Sequence, residues 1–437
     1  MLGILTSSVF ICVHLWFSST AKGEDRFPPP EFRTTYQIPQ DQFPARSAPW
    51  WDYVDSGLLL AALATAVWLV FYRRSRREVM LLTIFAVAWF GFFRKGCVCP
   101  IGSIQNVTEA IATGGALPWV VAVFFALPLL FVLLYGRVFC SSVCPLGAFQ
   151  DLVSWKGLHV PRWLEESLGL LAYLYLGLAC MYAAAGGPYI ICQYDPFVPM
   201  FRLNGPSHMF FLGGVLLALG VVIGRPYCRF LCPYGVILRL LSRLSRKQVT
   251  ITPAECINCR LCEKSCPFGA IRLPTTQDKP LPVSAGKRGL ISVLAVSPLI
   301  IVAMAGVGYL AGPTLALAHR DVQLAQAVMQ QDAHAVMPVP DEVKAFRDTG
   351  GTAEELYAQL PMLVRRFRIG GALVGVWMGL AIGGKLIAYS IRRRNPDYTA
   401  DPGTCIACAR CFMSCPVELK RRGLISELPV VEAMGKP

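Results

Sequence analysis

Apolar residues gather into long runs in this chain, separated by short segments dense in arginine, proline or cysteine. Seven runs stand out, at residues 53–72, 78–94, 117–135, 167–187, 209–224, 289–312 and 370–390. A helix rises 1.5 Å per residue, so about 20 apolar residues cross a hydrocarbon core of about 30 Å. Each run meets or nearly meets that length, and the pattern predicts a membrane all-α helical bundle of about seven transmembrane helices. A further apolar stretch, residues 1–21, reads as a signal peptide ending near Ala21 or as an N-terminal anchor, with Cys12 a small hydrophobe inside it. The polar, Pro-rich segment 22–52 then lies outside the cytoplasm.

Charge orients the bundle. Arg73, Arg74, Arg76 and Arg77 fill the first short loop, and basic residues near membrane ends favour the cytoplasm. Alternation from there puts 136–166, 225–288 and 391–437 on the same side, with Arg239, Arg243, Arg246, Lys247 and Arg392, Arg393, Arg394; Arg365, Arg366 and Arg368 run against the trend. The chain then divides into a transmembrane domain with cysteine motifs at 53–247, a first ferredoxin half at 248–288 and a transmembrane helix at 289–312. A small extracytoplasmic helical insert at 313–369, a helix at 370–390 and a second ferredoxin half at 391–437 complete it. Thr352 and Glu355, after Gly350 and Gly351, mark a capping box in the insert. The insert suits a partner-docking cap and is too small for a large core of its own.

Composition agrees: 54% of the 437 residues are hydrophobic and 16% charged, with mean hydropathy +0.50. Soluble domains carry nearer a quarter charged residues. The net charge of +14 comes from basic residues beside apolar runs, so it indicates lipid contact and no nucleic acid. Seventeen cysteines, an odd number in metal-type motifs, point to metal rather than disulfides.

The strongest motif runs from Cys256 to Pro267, C-I-N-C-R-L-C-E-K-S-C-P, and a second copy, C-I-A-C-A-R-C-F-M-S-C-P, from Cys405 to Pro416. The spacing C-x2-C-x2-C-x3-C-P is that of bacterial ferredoxins, whose fourth cysteine ligates the other cluster. Two [4Fe–4S] clusters are therefore expected, one on Cys256, Cys259, Cys262 and Cys415, the other on Cys405, Cys408, Cys411 and Cys266. Zinc sites show two separated C-x2-C pairs instead. A cytoplasmic α+β two-cluster ferredoxin-like domain follows, and both halves must lie on one face to share clusters.

A second element repeats as G-R-x-x-C-x3-C-P-x-G, from Gly136 through Cys140 and Cys144 to Gly147, and from Gly224 through Cys228 and Cys232 to Gly235. A shorter relative, Cys97-Val-Cys99-Pro-Ile-Gly102-Ser-Ile-Gln105, shares the ending C-P-x-G-x-x-Q with the copy through Gln150. At i,i+4 two cysteines share one helical face, and the Pro–Gly break frees N–H groups to soften sulfide charge. Cys140, Cys144, Cys228 and Cys232 thus make four ligands for an additional cluster near the inner face, against the alternative of buried thiols at helix ends. The topology puts Cys97 and Cys99 on the opposite side with Cys192, and Cys180 in the span leading there. Those four are candidates for an outer cluster, or Cys192 for a disulfide with Cys97 or Cys99. One or two further iron–sulfur clusters are the resulting expectation.

No catalytic residues are predicted. His159, His208, His319 and His334 form no facing pair for haem, and there is no phosphate loop or dinucleotide fingerprint. Gly213-Gly214, Gly370-Gly371 and Gly383-Gly384 suggest close helix packing, and Lys385 reads as snorkelling to a membrane edge.

With Tyr194-Asp195-Pro196-Phe197, the two C-x3-C-P motifs and the double ferredoxin run, the chain resembles the membrane polyferredoxins of the NapH/NosR type over roughly residues 80–270 and 400–416. The resemblance implies inner-membrane electron transfer from quinol or cytoplasmic donors towards a periplasmic acceptor. It implies other subunits of a membrane redox complex as partners, including a periplasmic flavin or haem protein. The chain has no S/T-G-A-T flavin-attachment motif, and two spans and the insert separate its ferredoxin halves. The expected function is an integral membrane iron–sulfur electron carrier linking the cytoplasmic face to a membrane or periplasmic redox partner. The alternatives are a quinol dehydrogenase subunit and a redox or metal assembly factor for a periplasmic metalloenzyme.

Overall fold

A computed structural model of the chain describes residues 49–96, 99–155, 157–158, 160–251, 256–257, 259–275, 283–334, 339–391 and 398–428. The leader, most of the 22–52 segment, Cys97, His159 and Arg392–Arg394 lie outside the described residues.

The fold is mostly helical. Among the described residues four helices are long and apolar enough to cross a membrane: Trp50–Arg73, Trp163–Ala184, Gly286–Ala316 and Ala353–Ser390. Two of the expected spans form shorter apolar helices, Trp119–Tyr135 and Ser207–Val222. The run 78–94 departs furthest from expectation, as a helix over Arg76–Ala86 that widens into a π turn over Val87–Phe93. Its first residue, Arg76, is 7% exposed and ion-paired to Asp151 at 2.5 Å, so this end belongs to a buried charge network rather than to lipid. Lys385 is anchored as well as displaced: its Nζ donates to the Glu166 carbonyl at 2.6 Å and lies 2.8 Å from the Glu166 carboxylate.

Glycines hold the two longest helices together. A Cβ on Gly308 would fall 1.9 Å from the Gly371 carbonyl oxygen, and one on Gly375 2.0 Å from that of Met304. Gly379 is as tight against Ile301, with 2.6 Å to its Cα. Residues 371, 375 and 379 repeat every fourth position, a stripe of small residues along one helix face that lets two backbones touch. The glycine pairs serve unequally, because Gly214 and Gly384 have nothing within 4 Å. The helix pair carries the chain out of the first ferredoxin half and back into the second.

The two halves meet in a two-stranded antiparallel ladder, Ile271 opposite Ala400 and Arg272 opposite Thr399. Each half repeats one local device. Arg260 (φ 57°) and Ala409 (φ 62°), each directly after the second cysteine of its run, take the left-handed conformation and start the short helices Leu261–Ser265 and Arg410–Ser414. The ladder thereby brings both cysteine runs to one place.

Residues Asp321–Leu360 form a compact unit within the expected 313–369 insert. Its helices close on Ala325, Val328, Val343 and Leu356. The Thr352 half of the capping box forms, with the Glu355 N–H donating to Thr352 Oγ1 at 3.4 Å.

Candidate metal-cluster sites

Cys256, Cys259 and Cys262 line a cavity together with Cys415 of the other half, walled by Ile251, Tyr398 and Val417. The reciprocal group also forms: the charges of Cys408 and Cys266 act on Cys405, and those of Cys408, Cys405 and Cys266 act on Cys411. Burial pushes the Cys262 thiol up to about 11 and the Cys405 thiol up to about 12, with neighbouring sulfurs adding to it. Cys411 also feels Cys262, so the two groups adjoin. Thiols this crowded and buried become thiolates when a metal compensates their charge.

The C-x3-C pairs do not lie on one helical face. Phe139–Val143 is a π turn and Pro226–Phe230 a five-residue helix, while Cys144 (ψ 116°) and Cys232 (ψ 112°) are extended and cap the helices Pro145–Val153 and Pro233–Leu241. Proline pushes the preceding residue out of the helical region, so the second cysteine of each pair has to leave the helix. The four cysteines lie within electrostatic reach of one another all the same: Cys144 feels the charges of Cys228, Cys140 and Cys232. Donors reach the sulfurs as well. The Gly235 N–H donates to Cys232 Sγ at 3.3 Å, the Gln150 Nε2 to Cys228 Sγ at 3.3 Å, and the Ala270 N–H to Cys266 Sγ at 3.4 Å. Thiolate sets with N–H donors aimed at sulfur fit iron–sulfur clusters, whose potentials respond to such bonds. Among the described residues no three Cys, His, Asp or Glu side chains converge on a single-ion position, the ferredoxin runs included.

Cys180 does not join the outer cysteines; it accepts from the Thr108 hydroxyl at 3.6 Å. The charged neighbours of Cys99 are Asp195 and Cys192, and Cys99 in turn acts on Cys144 and Cys232. Cys99 therefore lies within electrostatic reach of the inner cysteines, where the topology had put a membrane's thickness between them, while Cys192 is exposed. Cys99 and Cys192 are not joined in a disulfide; Cys97, the other proposed disulfide partner, lies outside the described residues.

The motif arginines carry a role that spacing did not reveal. Arg225 donates to the carbonyls of Cys140 and Ser141, the latter at 2.8 Å, and pairs with Asp151 at 3.2 Å. Asp151 also binds Arg76 and Arg410, the latter at 3.0 Å. Arg76 continues to the Cys408 carbonyl at 3.2 Å. Burial would raise the Asp151 pKa, but Arg225, Arg76 and Arg410 outweigh it and hold the carboxyl well below the usual range. Arg137 spans the same junction, donating to the Gly403 carbonyl at 2.9 Å and reaching Cys140 Sγ at 3.8 Å. Arg229 grips Glu165 at 2.9 Å and donates to the Pro267 carbonyl at 3.2 Å. The only sequence signal for any of these was the shared G-R-x-x-C string.

Comparison with known proteins agrees. Two regions, residues 117–165 and 205–252, match a family model described as a 4Fe-4S binding domain, and residues 249–272 match another of that description. The chain is 30% identical over 188 residues to the putative electron transport protein YccM of Escherichia coli, covering 38% of this chain and 52% of that protein. It is 28% identical over 224 residues to protein NirI of Paracoccus denitrificans, covering 46% of this chain and 31% of that protein. With the regulatory protein NosR of Stutzerimonas stutzeri the identity is 24% over 222 residues, 46% of this chain and 30% of that protein. The chain thus spans about half the length of YccM and less than a third of NirI and NosR. No solved structure matches. These matches, on top of two ferredoxin runs and helices fit to span a membrane, mark an iron–sulfur protein similar in these regions to the NapH/NosR-type ferredoxin-containing membrane proteins.

Proposed function

We propose that this protein passes single electrons between the cytoplasmic face of the inner membrane and a redox partner in the membrane or the periplasm. The observation that carries the reading is contiguity. The group around Cys256 adjoins the group around Cys405 through Cys262 and Cys411, and Arg225 feels both Cys408 and Cys228. Cys144 and Cys228 belong to the membrane quartet, so three sulfur-rich sites follow one another with no gap the width of a bilayer. Iron–sulfur clusters on these sites supply reversible one-electron chemistry. The residues do the rest: cysteines fix the spacing, N–H donors at the sulfurs tune the potential, and buried arginines between sites lock their separation.

About seven transmembrane segments, with both ferredoxin halves cytoplasmic and the insert outside, fit this role. Two [4Fe–4S] clusters sit on the crossed ferredoxin sets, and a third cluster on Cys140, Cys144, Cys228 and Cys232. Partners are other subunits of a membrane redox complex. Replacing Cys266 by Ser tests the crossed assignment: iron content and EPR of the purified full chain should report damage to the cluster on Cys405, Cys408 and Cys411. A change confined to the cluster on Cys256, Cys259 and Cys262 would contradict it.

A further inference from the structure

The outer cysteines copy the inner site piece by piece. Cys144 precedes Pro145 with ψ 116° and Cys99 precedes Pro100 with ψ 114°, each capping a helix that carries the C-P-x-G-x-x-Q ending. A Cβ on Gly147 would lie 3.6 Å from Cys228 Sγ, and one on Gly102 3.3 Å from Cys192 Sγ. Gln150 Oε1 accepts from the N–H of Tyr227, the residue before Cys228, at 3.0 Å. Gln105 Oε1 accepts from the N–H of Ile191, the residue before Cys192, also at 3.0 Å. Cys192 therefore stands to Cys99 as Cys228 stands to Cys144.

The inner site is completed by Cys232, before Pro233, extended at ψ 112° and accepting a backbone N–H of the helix that follows. Its counterpart after Cys192 is one residue nearer and is a carboxylate. Asp195 precedes Pro196, has ψ 115°, is 2% exposed and accepts the Phe197 N–H at 2.8 Å. Its other oxygen accepts from the Tyr227 hydroxyl at 3.2 Å, which leaves lone pairs unused on a carboxylate able to accept about four bonds. The charges of Asp195 and Cys192 both act on Cys99, so the three groups are neighbours.

A separate observation points to a guest. Gln150 Nε2 spends one hydrogen on the Cys228 sulfur, whereas Gln105 Nε2 is buried and has no hydrogen-bond partner among the described residues. A buried amide donor without a partner costs about 1–3 kcal/mol, so it calls for an acceptor beside Cys192, the counterpart of the Cys228 that Gln150 meets.

We propose that Cys99, Cys192 and Asp195 form a further iron–sulfur cluster site, with the Asp195 carboxylate in the place that the Cys232 sulfur holds in the inner site. This rests on the reading of Cys140, Cys144, Cys228 and Cys232 as cluster ligands. Iron accepts both thiolate and carboxylate, so one corner of the outer cluster takes oxygen. Gln105 Nε2 would supply an N–H donor beside Cys192, as Gln150 does at Cys228, and the hydroxyl of Tyr227, next to Cys228 in the chain, orients the Asp195 carboxylate. Cys180 has no part in it.

The test compares iron content and EPR of the full chain, purified in detergent, for the wild type, Cys192→Ser, Asp195→Asn, Asp195→Cys and, as inner comparator, Cys228→Ser. Cys192→Ser and Asp195→Asn should each lose one cluster's iron, about four atoms for a cubane, with the ferredoxin signals intact. Asp195→Cys should keep the iron and change the signal of that cluster alone, because a cysteine already adopts this backbone geometry at Cys232. Wild-type iron and spectra in both Cys192→Ser and Asp195→Asn would overturn the proposal. So would an unaltered signal in both Asp195 variants while Cys192→Ser loses iron, and so would a Cys99–Cys192 disulfide found by thiol counting on the wild type. If instead Cys228→Ser loses no iron while Cys192→Ser does, the reading of the inner quartet falls and the outer site stands alone.

Discussion

At the scale of the residue, the telling group is Asp151, a fully buried carboxylate shared by Arg76, Arg225 and Arg410. Each arginine serves a cysteine-bearing segment, so one side chain fixes the membrane quartet against the second ferredoxin run. Removing one partner of a buried ion pair typically costs about 3–5 kcal/mol, because the other charge is left stranded. Asp151→Asn is expected to cost at least that range, read as a large drop in the thermal midpoint of the detergent-purified chain. Asp332, half-exposed against Arg347 at 2.6 Å, gives the contrast. Its Asn variant should cost about 0–1 kcal/mol, as exposed pairs do. The sign with pH follows from the lowered pKa of Asp151. Its contribution is fully present above the ordinary aspartate value of about 3.9 and fades only as pH falls below it. Equal midpoints for Asp151→Asn and Asp332→Asn would remove the hub from the account.

Among the elements, the proline after each motif cysteine decides the architecture. It breaks the C-x3-C helix between its two sulfurs and turns the second one into a cap, which lets sulfurs from two chain segments meet. The glycine stripe on Ala353–Ser390 has the complementary task of holding two spans at backbone contact. Gly375→Leu would drive a side chain into the Met304 carbonyl, 2.0 Å from the added Cβ. Overpacking costs about 1–3 kcal/mol where side chains can yield, and here backbone would have to move. The expected outcome is loss of both ferredoxin EPR signals together, since these helices carry the chain from one half to the other. Gly384→Leu, at a position with nothing within 4 Å, should leave them intact. If Gly375→Leu kept full cluster content, the helix pair would have no part in bringing the halves together.

For the whole molecule, the question is which face each site meets. Basic loops and the need for the two ferredoxin halves to assemble both argue for one cytoplasmic side. A reporter fused after Lys247 should read cytoplasmic and one near Gly351 periplasmic. A cytoplasmic reading at Gly351 would reverse the order in which electrons meet the sites.

The spacing of cysteines by itself determined that this is an iron–sulfur protein and which eight sulfurs were candidates for two crossed sets, because ligand spacing within one local run is a short-range property. Apolar run length likewise pointed to helices long enough to cross a membrane, four of which form among the described residues. What only the tertiary structure decided lies between segments distant in the chain. Asp195 is separated by 96 positions from Cys99, and Asp151 by 259 from Arg410, so neither grouping has a local signature. The same holds for Cys180, whose position near the outer cysteines in sequence topology gave way to a contact with Thr108. The expected distance between the inner and outer cysteines failed for a physical reason too. Helices interrupted at Cys-Pro and Asp-Pro end inside the protein, and their caps face one another across its interior instead of across the bilayer.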